Sequence, residues 1–250
     1  MELLSDHNPL LKQIRRAVSR GGLTDDGFAL AEGPHLIGEA QASGCEIGAV
    51  IVRQASWEHH IFSGARLVSN KVFREISSTE TPQGVMALVR PPAWTLDQVM
   101  TELVVVLDGI QDPGNAGAIL RAAEAFGASG AVFLTGTVNP YNPKCMRGSA
   151  GSVFRLPLMT GFEASELVTI LDQRKLPLYA AMPDHGQLLR DAALGSACAI
   201  AIGSEGHGVS AALSARAKAL RILTKNVESL NVAVAAGVIL YEAQRQRGEA

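Results

Sequence analysis

The chain has 250 residues, 47% of them hydrophobic and 18% charged, with a formal net charge of −2 at neutral pH. That is long enough for one large α/β domain or two smaller ones and apolar enough to bury a core, which argues against wholesale disorder. So small a net charge also speaks against a surface coated in basic residues, while leaving room for a local basic patch.

The opening residues, MELLSDHNPL, carry acidic and polar side chains where a signal peptide has a basic start and an apolar core. No apolar run reaches the roughly 18 residues a membrane span needs. Residues 10–20 read as a basic amphipathic helix, with Lys12, Arg15, Arg16 and Arg20 interleaved among apolar positions. Residues 28–31 and 48–52 read as short strands around a helix at 34–42, and 84–89 reads as a further strand. Two successive prolines at Pro91 and Pro92 stop either element. They set the expected domain boundary, 1–92 against 93–250.

Beyond the boundary the pattern changes. Residues 103–107 (LVVVL) form a continuous apolar run, as in a strand buried on both faces, and 131–134, 178–181 and 197–202 repeat it. An Ala-rich helix is expected over 116–126 and a long closing helix over 229–246. Strands alternating with helices predict a parallel sheet covered on both sides. Three cysteines (Cys45, Cys145, Cys198) are far apart, with no C-x-x-C spacing and no His cluster. The expectation is a reduced, cytoplasmic protein without disulfides or metal.

Three strand-to-helix turns carry the functional signal. The first is Asp108-Gly-Ile-Gln-Asp-Pro-Gly-Asn115-Ala-Gly117, followed by Arg121. Asn115 can cap the helix, Gly117 permits close approach, and Arg121 can reach towards phosphate. An ordinary capped helix with one surface arginine fits as well, and neither the Walker nor the dinucleotide glycine pattern is present. The second is Gly203-Ser204-Glu205-Gly206-His207-Gly208, a loop that exposes backbone groups to a ligand. Glu205 suits a sulfonium, a ribose or an arginine better than a phosphate. His207 reads more readily as incidental than as catalytic. The third is Glu228-Ser229-Leu230-Asn231 before a run of small residues, where Ser229 or Asn231 can cap the closing helix.

Taken together, N-x-G-x-x-x-R, then G-S-E-G-x-G, then E-S-L-N-V-A-V-A-A-G resemble the SpoU (TrmH-like) family of SPOUT RNA methyltransferases, over roughly residues 95–250. Arg147-Gly-Ser-Ala-Gly-Ser152 and Leu156-Pro157 are similar to the family pattern as well. Ala31-Glu32-Gly33 and Thr79-Glu-Thr-Pro-Gln-Gly84 resemble the small substrate-binding domain that many members carry. The sequence departs from the family at 221–226, where Leu223, Thr224 and Asn226 stand in place of an Ile-Pro-Met stretch and a glycine, and at His35, where relatives carry a basic residue.

The resemblance implies a C-terminal α/β domain with a parallel sheet and a deep trefoil knot. It also implies a small N-terminal α/β RNA-binding domain with a ribosomal-protein-type fold, and a homodimer. The implied reaction is transfer of a methyl group from S-adenosylmethionine to a ribose 2′-hydroxyl of RNA, rRNA favoured over tRNA. A base methyltransferase and a non-catalytic RNA binder are the competing readings. The implied catalytic residues are Asn115, Arg121, Glu205, Ser229 and Asn231. Family proposals give the hydroxyl proton to Arg121. A guanidinium stays protonated, however, so fixing the adjacent phosphate and polarising the hydroxyl suits it better. The cofactor would meet Leu134, Thr135, Gly136, Ile202, Gly203, Ser204, Gly206, Gly208, Ile222, Ser229, Leu230 and Asn231. RNA would meet Lys12, Arg15, Arg16, Arg121 and Arg147.

Overall fold

The computed structural model describes residues 3–59, 64–182 and 185–248. In chain order it begins α1 (Pro9–Arg20), β1 (Ala29–Glu32), α2 (Pro34–Ala42), β2 (Glu46–Arg53), β3 (Arg66–Val68), α3 (Asn70–Ile76) and β4 (Val85–Arg90). It continues with α4 (Leu96–Val99), β5 (Leu103–Asp108), α5 (Pro113–Ala125), β6 (Gly130–Leu134), α6 (Pro143–Ser149) and α7 (Ser152–Arg155). The remainder is β7 (Leu158–Phe162), α8 (Ala164–Gln173), β8 (Leu178–Ala181), β9 (Gln187–Leu188), β10 (Cys198–Gly203), α9 (Ala211–Arg216), β11 (Lys218–Arg221) and α10 (Val232–Gln246).

These elements gather into two compact units, Met1–Ala93 with Asn139–Phe154, and Trp94–Val138 with Arg155–Ala250. The segment Asn139–Phe154 packs with the first unit, although the boundary read at the two prolines leaves it in the second.

The first unit holds a four-stranded sheet in the order β1-β4-β2-β3. β4 pairs antiparallel with β1 and β2, and β3 adds to β2 in parallel. α1 starts where the Asn8 side chain accepts the Leu10 N–H at 3.0 Å and Pro9 fixes the first helical φ. Its buried face, Leu11 and Ile14, packs with Leu30, Ile51, Phe73 and Met86. Each such side chain contributes about 1.5–3 kcal/mol on burial. Lys12 and Arg16 stay exposed on the other face.

One polar group is buried in this unit for a visible reason. Glu32, only 6% exposed, accepts from the Ser77 and Thr79 hydroxyls on one oxygen and from the Ser78 N–H and hydroxyl on the other. Four donors offset the desolvation of its charge and fix the loop after α3. Arg147 then donates to the Ser78 hydroxyl and carbonyl.

The second unit is built on a seven-stranded sheet in the order β7-β6-β5-β10-β8-β11-β9, and every pairing in it is parallel. β5 and β6 are buried at every position, as their unbroken apolar runs require. Val104, Val106 and Val132 form one side of the core with Leu167, Leu171 and Leu213.

Two sequence expectations about helix starts change. α5 begins at Pro113, and its N-cap is Asp112, whose carboxylate accepts the Asn115 N–H at 2.8 Å. Asn115 is therefore not the cap. Asp-Pro two residues earlier supplies both a capping oxygen and a pre-set φ, which releases the Asn115 side chain for other contacts. α10 begins at Val232, and of the two candidate caps it is Asn231 that serves, accepting from Ala233 and Val234 N–H at 3.0 and 3.3 Å.

The strand order decides where a ligand can sit. β5 leads outward to β6 and β7 on one side, while β10 inserts on its other side, between β5 and β8. The order in which strands are added therefore reverses next to β5, and such reversals leave a crevice at the carboxyl ends of the strands. The β5–β10 register runs from Cys198 opposite Leu103 to Gly203 opposite Asp108. The two motif-bearing turns thus leave the sheet side by side.

Candidate functional site

Two adjoining cavities open at this edge of the second unit. The first, of about 480 Å³, lies beyond β8, β10 and β11. Ile202, Leu220, Ile222, Leu230, Val232 and Ala235 make its apolar part. The backbone of 203–208, the strand end Ala181–Met182 and the turn Glu228–Ser229 close it. The second, of about 610 Å³, is walled by residues 108–112, Asn115 and the same 204–210 loop. Both volumes fall within the range of small-molecule sites.

The loop between the cavities is tightly closed. The Ser204 N–H donates to the Gly208 carbonyl at 3.0 Å and the Gly208 N–H returns to the Ser204 carbonyl at 2.9 Å. The His207 N–H donates to the Ser204 hydroxyl at 3.2 Å. Gly203 is required at the neck. A Cβ there would lie 2.0 Å from the Gly208 carbonyl carbon and 2.2 Å from the Val209 nitrogen. At Gly206, on the tip, a Cβ would meet nothing within 4 Å. Asp108, at the end of β5, braces the far side of the loop by accepting the Ser210 N–H at 2.6 Å.

At the wall common to both cavities three side chains meet. Asn115 donates its amide to Glu205 Oε1 at 3.2 Å, and Asn231 donates to the same oxygen at 3.4 Å and to Asn115 Oδ1 at 3.2 Å. One residue from each motif contributes, across sequence separations of 90 and 116 residues. The Asn231 carbonyl is tied to the start of α10 and the Asn115 backbone to Asp112, so both amides are aimed by helix termini. Among the described residues, no lysine or arginine lines either cavity. An apolar pocket with Glu205 and Glu228 on its wall suits a ligand with an aromatic face and a positive centre.

Of the residues expected at a cofactor, Ile202, Gly203, Ser204, Gly206, Gly208, Ile222, Ser229 and Leu230 line the first cavity, and Asn231 adjoins it through Glu205. Leu134, Thr135 and Gly136 line neither. They stand at the end of β6, two strands from β10, and there the Thr135 N–H is bonded to the Phe162 carbonyl at 2.9 Å. The Gly136 carbonyl does, however, accept from the side-chain amide of Gln111, which lines the second cavity. Ala181, Met182, His185 and Leu220 were not anticipated. The run 178–181 announced the strand, but nothing in its residue types announced that its end lines a cavity.

Arg121 is exposed on α5 and lines neither cavity, and its guanidinium makes no hydrogen bond or ion pair among the described residues. Six residues past Asn115, it sits about 9 Å along the helix and about 120° around it. Ser229 is exposed at the rim. In the first unit Arg15 pairs with Glu75 at 3.0 Å and Arg16 with Asp25 at 3.6 Å. Pairs this exposed are worth at most about 1 kcal/mol, so a phosphate can compete for either arginine. Arg147 is held by Ser78. Among the described residues there is no group of three or more His, Cys, Asp and Glu placed to hold a metal ion, and no helix long and apolar enough to cross a membrane.

A family model described as the SpoU rRNA methylase family matches residues 102–241, and one described as the MRM3-like substrate binding domain matches residues 8–87. An uncharacterized tRNA/rRNA methyltransferase of Synechocystis is 35% identical, covering 98% of this chain and 94% of its own length. The 23S rRNA guanosine 2′-O-methyltransferase RlmP of Bacillus subtilis is 29% identical, over 96% of this chain and 98% of its own. Among solved structures, a putative RNA methyltransferase of the TrmH family from Porphyromonas gingivalis superposes with a TM-score of 0.82 at 30% identity, covering 98% and 99% of the two chains. The SpoU methyltransferase AviRb of Streptomyces viridochromogenes, solved with AdoMet, also reaches 0.82, at 25% identity and covering 98% and 100%.

Proposed function

The chain belongs to the SpoU rRNA methylase family, and we infer that it is an S-adenosylmethionine-dependent methyltransferase that modifies a ribose 2′-hydroxyl of RNA. The observation that carries this reading is the Asn115–Glu205–Asn231 cluster at the wall shared by the two cavities. One cavity suits the methyl donor and the other the ribose. The donor supplies a methyl group on a sulfonium, which leaves the chain mainly the tasks of aligning the acceptor oxygen and receiving its proton.

Ile202, Gly203, Ser204, Gly206, Gly208, Ile222, Ser229, Leu230 and Asn231, with Ala181 and Met182, would hold the donor. Asn115 and Glu205 would orient the ribose. Arg121 would fix a neighbouring phosphate. Its direction away from its own Asn115 favours a site completed by a second copy of the chain. A homodimer is also supported by Val234, Val238 and Tyr241, an apolar stripe on α10 that is 53%, 39% and 54% exposed. Residues 1–92 are read as the RNA-recognition domain of ribosomal-protein type, with Lys12, Arg15 and Arg16 as contacts and Arg147 as an internal brace. Residues 93–250 are read as the methyltransferase domain. Its deep trefoil knot is proposed from the family, and the insertion of β10 between β5 and β8 suits it. A cytoplasmic location fits three free cysteines.

Ribosomal RNA is the favoured substrate, because relatives are named for 2′-O-methylation of 23S rRNA. Transfer RNA is kept as the second reading because other relatives carry tRNA/rRNA names. The test measures donor binding by calorimetry and labelled-methyl transfer to separated rRNA and tRNA, with Asn115→Ala and Arg121→Ala as controls. Transfer to rRNA that both substitutions abolish supports the reading. Donor binding without transfer to any RNA would mean a non-catalytic binder, and transfer untouched by either substitution would remove the assigned site.

A further inference from the structure

The turn after β5 leaves two hydrogen-bond acceptors open beside the second cavity. Asp108 is only 8% exposed, and its Oδ2 accepts the Ser210 N–H at 2.6 Å. Its other oxygen has no partner among the described residues and is not sealed from solvent, so it opens onto the cavity that Asp108 lines. Gln111 lines the same cavity, and its amide nitrogen donates to the Gly136 carbonyl. A carbonyl partner fixes the nitrogen at that end, so Oε1 is left as a free acceptor. The other polar groups of this cavity are committed, Asp112 to the start of α5 and the Asn115 amide to Glu205. Among the described residues, no lysine or arginine lines the cavity to neutralise Asp108. A carboxylate so nearly buried, with one oxygen open, calls for a donor.

We propose that the second cavity holds the base of the target nucleotide and that Asp108 and Gln111 select guanine, an inference that rests on the methyltransferase reading above. With the ribose at the shared wall beside Asn115 and Glu205, the 108–112 turn is left to the base it carries. Bases differ in what their Watson–Crick edge offers to acceptors. Guanine presents a ring N–H next to an exocyclic amine, two donor groups side by side. Adenine and cytosine present an amine beside a bare ring nitrogen, whose lone pair would face the carboxylate. Uracil presents one N–H between two carbonyls. A base taken out of its stack is read along this edge, and donors to a carboxylate are the strong kind. A wrong base would leave Asp108 desolvated and unpaired, so the cavity rejects as well as accepts.

The test uses the full-length protein with unmodified rRNA and labelled donor, and maps the methylated nucleotide. Transcripts with a single change at that position follow. The label should lie on guanosine. Inosine there lacks only the 2-amino group and should lower kcat/KM by about 10–100-fold, the range for one lost hydrogen bond to a charged group. Asp108→Asn keeps an oxygen for the Ser210 N–H and sets an NH2 where the open acceptor was. It should be slow on guanosine RNA and treat inosine RNA almost equally, with Tm and S-adenosylhomocysteine affinity unchanged. A brace without a reading role would slow both RNAs alike and keep their ratio. Gln111→Leu, away from the Ser210 contact, should narrow the same ratio. Methylation of another nucleoside's ribose overturns the proposal, as do equal wild-type rates on guanosine and inosine RNA, or a wild-type ratio in Asp108→Asn. If Asp108→Asn does not fold, the wild-type comparison still decides. Failure of wild type to methylate any ribose would instead overturn the function itself.

Discussion

Replacing Gly203 by Ala tests whether the loop between the cavities is held by close backbone approach. The added Cβ would sit 2.0 Å from the Gly208 carbonyl carbon, about 1.5 Å short of a relaxed carbon–carbon contact. The atoms it meets are backbone on both sides, Gly208 and Val209, so no rotamer change relieves the clash. The loop must move away from β10, and overpacking of this kind costs about 1–3 kcal/mol. For a chain of this size that lowers Tm by about 3–10 °C. Ligand binding would have to restore the native loop and reimpose the strain, which weakens Kd by about 5–150-fold. Gly206→Ala is the counterpart. Its Cβ meets nothing within 4 Å, yet Gly206 lines both cavities. Its Tm should match wild type while its S-adenosylhomocysteine affinity falls. Calorimetric melting of the free proteins and titration with S-adenosylhomocysteine measure both quantities. A Gly203→Ala protein with wild-type Tm and affinity would refute the argument.

Asn231 combines a helix cap with an amide donor to Glu205, and two substitutions separate these tasks. Asn231→Ala should lose about 1 kcal/mol of stability with the cap and most of the activity. Asn231→Asp should keep the cap and Tm but lose activity, because a second carboxylate then faces Glu205; kcat beside thermal melting distinguishes them. Glu32→Gln should destabilise the first unit by about 2–3 kcal/mol, since an amide cannot accept from all four loop donors, and amide exchange of Ser78 should accelerate. Glu242 is held down to about 2, first by hydrogen bonding from the Arg245 guanidinium and then from the Gln246 amide. A depressed carboxyl stabilises the fold above its unfolded pKa of about 4.3, and the contribution fades as pH falls towards about 2. Stability of Glu242→Gln should therefore decline less than wild type across that interval in urea titrations.

Where residue pattern follows directly from burial, the sequence was readable. LVVVL at 103–107 has no polar position because β5 is covered on both faces, and Pro34–Ala42 is bounded by glycine-proline on one side and small polar residues on the other. Asn115, Glu205 and Asn231 were grouped through the resemblance of their three motifs to the SpoU family, since each motif alone also fits an ordinary turn or helix start. Strand order was not readable, because the same apolar run serves at any position in a parallel sheet. The end of β8, Ala181–Met182, was therefore not placed at the first cavity. The start of α5 was placed too late because Asn115 was read as the cap, where Asp112 before Pro113 serves. The grouping of Asn139–Phe154 with the first unit depends on contacts such as Arg147 with Ser78, 69 residues apart, which no local pattern announces.

The central claim is that the chain places a methyl group on a ribose oxygen of RNA. Its most direct test incubates the protein with unmodified rRNA and methyl-labelled S-adenosylmethionine, then digests the RNA to nucleosides for mass spectrometry. The account predicts the label on the sugar fragment of a single nucleoside, with an adjacent phosphodiester that resists alkali, and its loss with Asn115→Ala. Label on the base fragment, or none on RNA while the donor still binds, would contradict it.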